Sequence, residues 1–124
     1  MNPEAVITAY IAAINAQDVD AIVALSSADH AFIDAHGNTV PAASLAAGWR
    51  GYFTFMPRYG IEAEHILAQG NAIAVFGQAW GELATGGAWR RPAAWRAALR
   101  DGLITRWQVY VDTKPVFDLL PPPP

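Results

Sequence analysis

From residue 61 onward the chain reads as four long alternating stretches divided by three glycine turns, and no other feature restricts its fold as tightly. Ile61 to Ala68, Ala72 to Leu83, Ala88 to Leu99 and Leu103 to Asp112 are separated by Gln69-Gly70-Asn71, Thr85-Gly86-Gly87 and Arg100-Asp101-Gly102. Short glycine turns between period-two runs join antiparallel neighbours, so the spacing predicts a four-strand meander. In the third run Trp89, Ala93, Trp95, Ala97 and Leu99 share a face, opposite Arg90, Pro92, Ala94, Arg96 and Ala98. In the fourth, Trp107, Val109 and Val111 oppose Arg106, Gln108, Tyr110 and Asp112. The apolar faces are expected to look inward.

The second run is unusual. Ile73, Val75, Gly77, Ala79, Gly81 and Leu83 form one face and Phe76, Gln78, Trp80 and Glu82 the other. With the first set inward, the middle of that face has almost no side chains. This predicts an open pocket beside Gly77 and Ala79 rather than a filled core. Phe76, Trp80 and Tyr110 are then exposed rings on an outer sheet face. A second copy of the chain is the simplest cover, which predicts a homodimer.

The first sixty residues read as helices. Asn2-Pro3-Glu4 is a start signal: a cap, a first-position proline and an acidic first turn. Val6, Ile7, Tyr10, Ile11 and Ile14 follow at helical spacing. Asn15-Ala16-Gln17-Asp18 interrupts them, and Asp18 is expected to cap a second short helix running to about Ser27. His30 to His36 alternates as a short strand, with Gly37-Asn38 as its turn. Pro41 to about Phe55 reads as a third helix with Leu45, Trp49, Tyr52, Phe53 and Met56 as its stripe. Gly48 and Gly51 each weaken it by about 1 kcal/mol relative to alanine. Helices against a curved antiparallel sheet give an α+β fold, a cone enclosing one pocket. One domain over residues 1–120 is expected, with Pro121 to Pro124 as a polyproline tail.

Composition narrows the function. Apolar residues make up 53% of the 124, yet 25 are alanine, so five Trp, four Tyr and five Phe must supply much of the core volume. The net charge is −3, without any basic tract, which argues against nucleic acid or an anionic membrane as partner. Without cysteine there are no disulfides, thiolate metal sites or cysteine nucleophiles. No apolar run is long enough to span a bilayer, and Glu4 without a basic segment is unlike a signal peptide. A cytoplasmic protein is the expectation.

Few residues can carry chemistry. His30, His36 and His65 show no metal-ligand spacing; His30 and His36 would stand roughly 20 Å apart along a strand, so no metal is expected. Phosphate-cradling glycine motifs are absent, and no cofactor is expected. Ser26, Ser27 and Ser44 lie near helix ends, where a capping role suits them better than a nucleophilic one. Acid–base chemistry remains. Period two puts Phe32, Asp34 and His36 on one face. Buried with Phe32, Asp34 would be a general base with a raised pKa; otherwise it is solvated or caps a turn. Tyr10, mid-stripe on the first helix, is either a core tyrosine or a hydrogen-bond donor to a substrate oxygen.

The stretch Ala9-Tyr10-Ile11-Ala12-Ala13-Ile14-Asn15-Ala16-Gln17-Asp18-Val19-Asp20-Ala21-Ile22-Val23-Ala24-Leu25 resembles the opening of the ketosteroid isomerase and SnoaL-like polyketide cyclase families of the nuclear transport factor 2-like superfamily. Phe32-Ile33-Asp34-Ala35-His36-Gly37 is similar to their first strand. Arg100-Asp101-Gly102-Leu103-Ile104-Thr105-Arg106-Trp107-Gln108-Val109-Tyr110-Val111-Asp112 is similar to their last. The resemblance implies a cone-shaped, cystatin-like α+β barrel, and it places the isomerase oxyanion-hole tyrosine on Tyr10 and its base on Asp34. The second oxyanion donor, a protonated aspartate, would fall at Trp95, with Ala94 the nearest alternative. The indole N–H of Trp95 could donate in its stead, or the ring could simply fill the core. Limonene epoxide hydrolase shares the fold, but its water-orienting aspartate would fall on Val109. Its Arg-x-Asp pair would fall near Gln78-Ala79-Trp80-Gly81-Glu82, where none exists, so that reaction is not expected. Asp112, on the outward register, reads as a strand-end or interface residue rather than a catalytic one.

Two functions follow as expectations. One is a cofactor-free isomerase or cyclase in which Asp34 takes a proton α to a carbonyl, Tyr10 stabilises the enolate and His36 assists. The other is a non-catalytic binding or dimerisation domain. Both use a small hydrophobic ligand in a pocket formed by Phe32, Tyr52, Gly77, Ala79, Trp95, Trp107 and Val109.

Overall fold

A computed structural model describes residues 2–122; Met1, Pro123 and Pro124, and with the latter two half of the expected proline tail, lie outside the described residues. Helix α1, Pro3–Asn15, begins as its sequence dictates. Asn2 is extended and its Oδ1 accepts the Ala5 N–H at 2.7 Å. Its buried face is Val6, Ile7, Tyr10, Ala13 and Ile14. Gln17 turns the chain through a left-handed φ of 55°. Asp18 then accepts the Ala21 N–H at 3.1 Å and opens α2, Val19–Ala24. The Asn15 amide binds the N–H and C=O of Ile61, both at 2.9 Å, fastening the end of α1 to the sheet.

The remaining elements are β1 (Ser26–Ile33), β2 (Thr39–Pro41), a single 3-10 turn (Ala42–Ser44), α3 (Leu45–Phe55), β3 (Gly60–Gln69), β4 (Ala72–Glu82), β5 (Ala88–Arg100), β6 (Leu103–Val111) and α4 (Lys114–Leu119). Strands β3 to β6 form the expected meander. Its inner face buries Ile73, Val75 and Ala79 of β4, Ala93, Trp95, Ala97 and Leu99 of β5, and Trp107 of β6, together with the stripes of α1 and α3.

Several expectations need correction. The sheet is not purely antiparallel, nor is it a barrel. Its order is β2-β1-β6-β5-β4-β3, and β1 runs parallel to β6 with Phe32 opposite Trp107. Hairpin turns fix direction only for the strands they join. β1 reaches β6 through a long connection, which is what a parallel pairing requires. β2 and β3 are free edges, so the sheet is curved but unclosed. Helix α2 stops at Ala24, and β1 runs from Ser26 to Ile33 rather than from His30 to His36, which leaves Asp34 and His36 in a turn. Helix α4 was not foreshadowed by its sequence; Pro121 and Pro122 beyond it have no regular structure.

Gly77 does not open a space. β3 bulges between Ala63 and His65, and a Cβ on Gly77 would collide with the Glu62 carbonyl oxygen. The glycine is there because a neighbouring backbone comes too close for any side chain. On the outer face Phe76 and Tyr110 are about half exposed, at 47% and 48%. Trp80 is partly covered instead, with the Arg90 guanidinium 4.9 Å from its ring centroid. Among the described residues no helix is long and apolar enough to cross a membrane.

Candidate functional site

A cavity of about 350 Å³ lies between α3 and the inner face of the sheet. That is within the range of small-molecule pockets. Its walls are largely aromatic: Phe32 from β1, Trp49 and Tyr52 from α3, Tyr59, Trp89 and Trp95 from β5, and Trp107 from β6. Ala79, Val109 and Val111 are among the smaller apolar lining residues, and Asp34, Ala35, His36 and Thr113 form a polar, more exposed end. The rings hold one another mostly edge-on. Trp49 meets Phe32 at 5.6 Å and 74°, and Tyr52 meets Tyr59 at 5.0 Å and 86°. Trp95 and Trp107 are nearly parallel at 6.3 Å and 25°. Such contacts fix ring positions more firmly than area burial alone. Burial pushes the Tyr52 and Tyr59 phenols well above their ordinary pKa, so both stay neutral.

Asp34 lines the cavity, though not as a strand residue. Its Oδ1 accepts the backbone N–H groups of His36 at 2.8 Å and Asn38 at 2.9 Å, and its Oδ2 accepts from the Asn38 amide at 3.2 Å. Desolvation pushes the carboxyl up, but the hydrogen bonds from Asn38 and His36 together outweigh it and leave the pKa below the ordinary value. The expectation of a raised pKa is therefore corrected: Asp34 caps a turn and is held ionised. His36 also lines the cavity, and its Nε2 lies 3.2 Å from the Thr113 hydroxyl.

Tyr10 is wholly buried and does not line the cavity. Its ring packs 4.9 Å from Trp107, on the far side of the cavity wall. Burial pushes its pKa up to about 12, with the nearby Ser26 hydroxyl and Trp49 indole partly offsetting this. The structure therefore does not bring Tyr10 and Asp34 to one space. It does gather Phe32, Asp34, His36, Tyr52, Ala79, Trp95, Trp107 and Val109 around the cavity, and leaves out Gly77.

Trp49, Trp89, Tyr59 and Thr113 were not among the expected site residues. Trp49 was visible on the α3 stripe, and Trp89 shares a face with Trp95. Tyr59 follows Pro57-Arg58 in an aperiodic segment and gave no signal. Among the described residues, no three His, Asp or Glu side chains gather as a metal site would need.

A family model of the SnoaL-like domain matches residues 7–107. The chain belongs to the SnoaL-like domain family. Solved structures share its fold at low identity. A candidate polyketide cyclase of Xanthomonas campestris superposes with a TM-score of 0.83 at 22% identity, over 90% of this chain and 91% of its own. A Catenulispora acidiphila protein of ketosteroid isomerase-like fold, solved with trimethylamine, gives 0.83 at 19% identity over 91% and 89%. TerC, co-crystallised with polyporic acid, gives 0.83 at 19% identity over 94% and 96%. No curated protein matches the chain. Membership in the SnoaL-like family accounts for the helices over a curved sheet. It does not choose between catalysis and binding.

Proposed function

We propose that this SnoaL-like chain binds a small, flat, largely apolar molecule in the cavity, through aromatic stacking and one polar end. A single observation carries the reading: rings from β1, α3, β5 and β6 surround a space of about 350 Å³ whose only carboxylate among the described residues is Asp34, at the exposed end. Two structural neighbours were solved with small molecules, polyporic acid and trimethylamine, which supports a ligand-holding use of the fold. The neutral probe N-phenyl-1-naphthylamine tests it. Saturable one-to-one binding is expected, weakened at least tenfold by Ala79→Leu, which fills the space. Unchanged binding in Ala79→Leu would contradict it.

A second reading keeps cofactor-free proton abstraction α to a carbonyl, as in a cyclase or isomerase. It is favoured by an ionised carboxylate facing an apolar space, with His36 beside it and the Trp95 ring on the wall. Asp34 would be the base and His36 its assistant; the expected part for Tyr10 is dropped, because its hydroxyl lies behind the cavity wall. Its lowered pKa makes Asp34 a weak base, which is why binding stands first. Asp34→Asn should cost a catalyst several orders of magnitude in turnover, whereas a binding protein should lose little affinity. We further propose a homodimer through the outer sheet face around Phe76 and Tyr110.

A further inference from the structure

Three buried polar atoms stand without a hydrogen-bond partner behind the cavity wall: the Tyr10 hydroxyl, Nε2 of His30 and Nε1–H of Trp49. They come from α1, β1 and α3 and are near neighbours. The Tyr10 and His30 ring centroids are 6.4 Å apart, and the Trp49 indole N–H approaches the Tyr10 hydroxyl. Tyr10 and His30 are at most 1% exposed and Trp49 is 6% exposed. A buried polar group without a partner is costly, and three at one place are rarely accidental.

The chemistry of the three defines their occupant. His30 Nδ1 lies 2.6 Å from the Ile104 carbonyl oxygen, which can only accept, so Nδ1 carries the proton. Burial lowers the pKa of His30 and keeps it neutral, against the opposing pull of that hydrogen bond. Nε2 therefore presents a lone pair. Trp49 can only donate, and Tyr10 can donate or accept. The neighbouring Ser26 hydroxyl gives its one proton to the Ile22 carbonyl at 2.8 Å, so it has none to give to Nε2 of His30 and can only accept from Tyr10. The set calls for one group that donates to Nε2 and accepts from the indole or the phenol. A hydroxyl does both; a carbonyl has no proton to give, and an ammonium accepts nothing.

We propose that Tyr10, His30 and Trp49 form a binding site for a single hydroxyl oxygen, set behind the aromatic wall of the cavity. The hydroxyl has two sources. One is an ordered water. The other is the hydroxyl of an aromatic ligand that reaches past the edge of Trp49, whose ring is part of the cavity wall; this second source rests on the cavity-binding reading. In that case the protein selects phenols and enols over their ethers.

Imidazole ¹⁵N spectra, water–protein NOEs and equilibrium dialysis with 2-naphthol and 2-methoxynaphthalene test the site. The spectra should show His30 at neutral pH protonated on Nδ1 alone; a proton on Nε2 would overturn the proposal. For the ligand source, 2-naphthol should bind about tenfold more tightly than its methyl ether, about one net hydrogen bond. The ratio should fall toward one in Tyr10→Phe and, should that variant not fold, in Trp49→Phe. For the water source the two probes should bind equally, with a long-lived water NOE to His30 that disappears in the same variants. The absence of both a hydroxyl preference and a water NOE would overturn the proposal. If neither probe binds, the cavity reading fails by itself and the water NOE alone decides the site.

Discussion

Asp34 shows how a single carboxylate is misread from spacing. The alternation Phe32, Asp34, His36 is real, but the strand ends at Ile33 because the side chain of Asp34 satisfies the N–H groups of His36 and Asn38. Local side-chain bonds of this kind compete with a sheet ladder. The turn reading of Asp34 was open in the sequence; that the same turn would still carry it to the cavity was not. Nothing in the sequence shows that Nδ1 of His30 meets the Ile104 carbonyl across 74 residues. His30 gives a pH prediction. Its pKa is lowered from 6.5 in the folded protein, chiefly by burial. The unfolded chain therefore binds its proton first, and stability falls as pH drops below about 6.5. Asp34 and Asp29, also held below their ordinary pKa, lose their contributions only in the more acidic range below 3.8. Melting temperature should therefore decline between pH 7 and pH 5, and the decline should be shallower in His30→Gln. Equal slopes would show that His30 is not the group responsible.

At the scale of elements, the meander was legible because each hairpin announces itself by a glycine turn between alternating runs. Gly70, Gly86, Gly87 and Gly102 all have left-handed φ values, from 60° to 99°. The cap residues Asn2 and Asp18 were legible for a similar reason, being local chemistry. The pairing of β1 with β6 was not, because it joins segments with no sequence relation between them. The bulge in β3 was hidden for the same reason, and it inverted the meaning of Gly77. Gly77→Ala should cost at least about 1–3 kcal/mol, since the Glu62 carbonyl and its strand must shift. Gly51→Ala, mid-helix in α3 with nothing within 4 Å of the added methyl, should stabilise by about 0.5–1 kcal/mol. Urea unfolding of the two variants compares them directly. A tolerated Gly77→Ala would mean that β3 does not press on β4 as described.

At the scale of the molecule, small residues and large rings divide the work. The strands bury small residues such as Ala79, Ala93 and Ala97, and the tryptophans and tyrosines line the space. That much followed from composition: with so much alanine, the rings had to define the interior. Outside, Phe76 and Tyr110 leave an apolar face that the homodimer proposal covers. Sedimentation at tens of micromolar should show a dimer, and Phe76→Glu should shift it toward monomer; a monomer in the unaltered protein would contradict that proposal. The central claim is that the aromatic cavity holds the ligand. A crystal structure of the complex with N-phenyl-1-naphthylamine tests it most directly. The account predicts the naphthyl ring inside the cavity, in contact with Trp95, Trp107 and Tyr52. A probe found only on the outer face, against Phe76 and Tyr110, with the cavity closed, would contradict it.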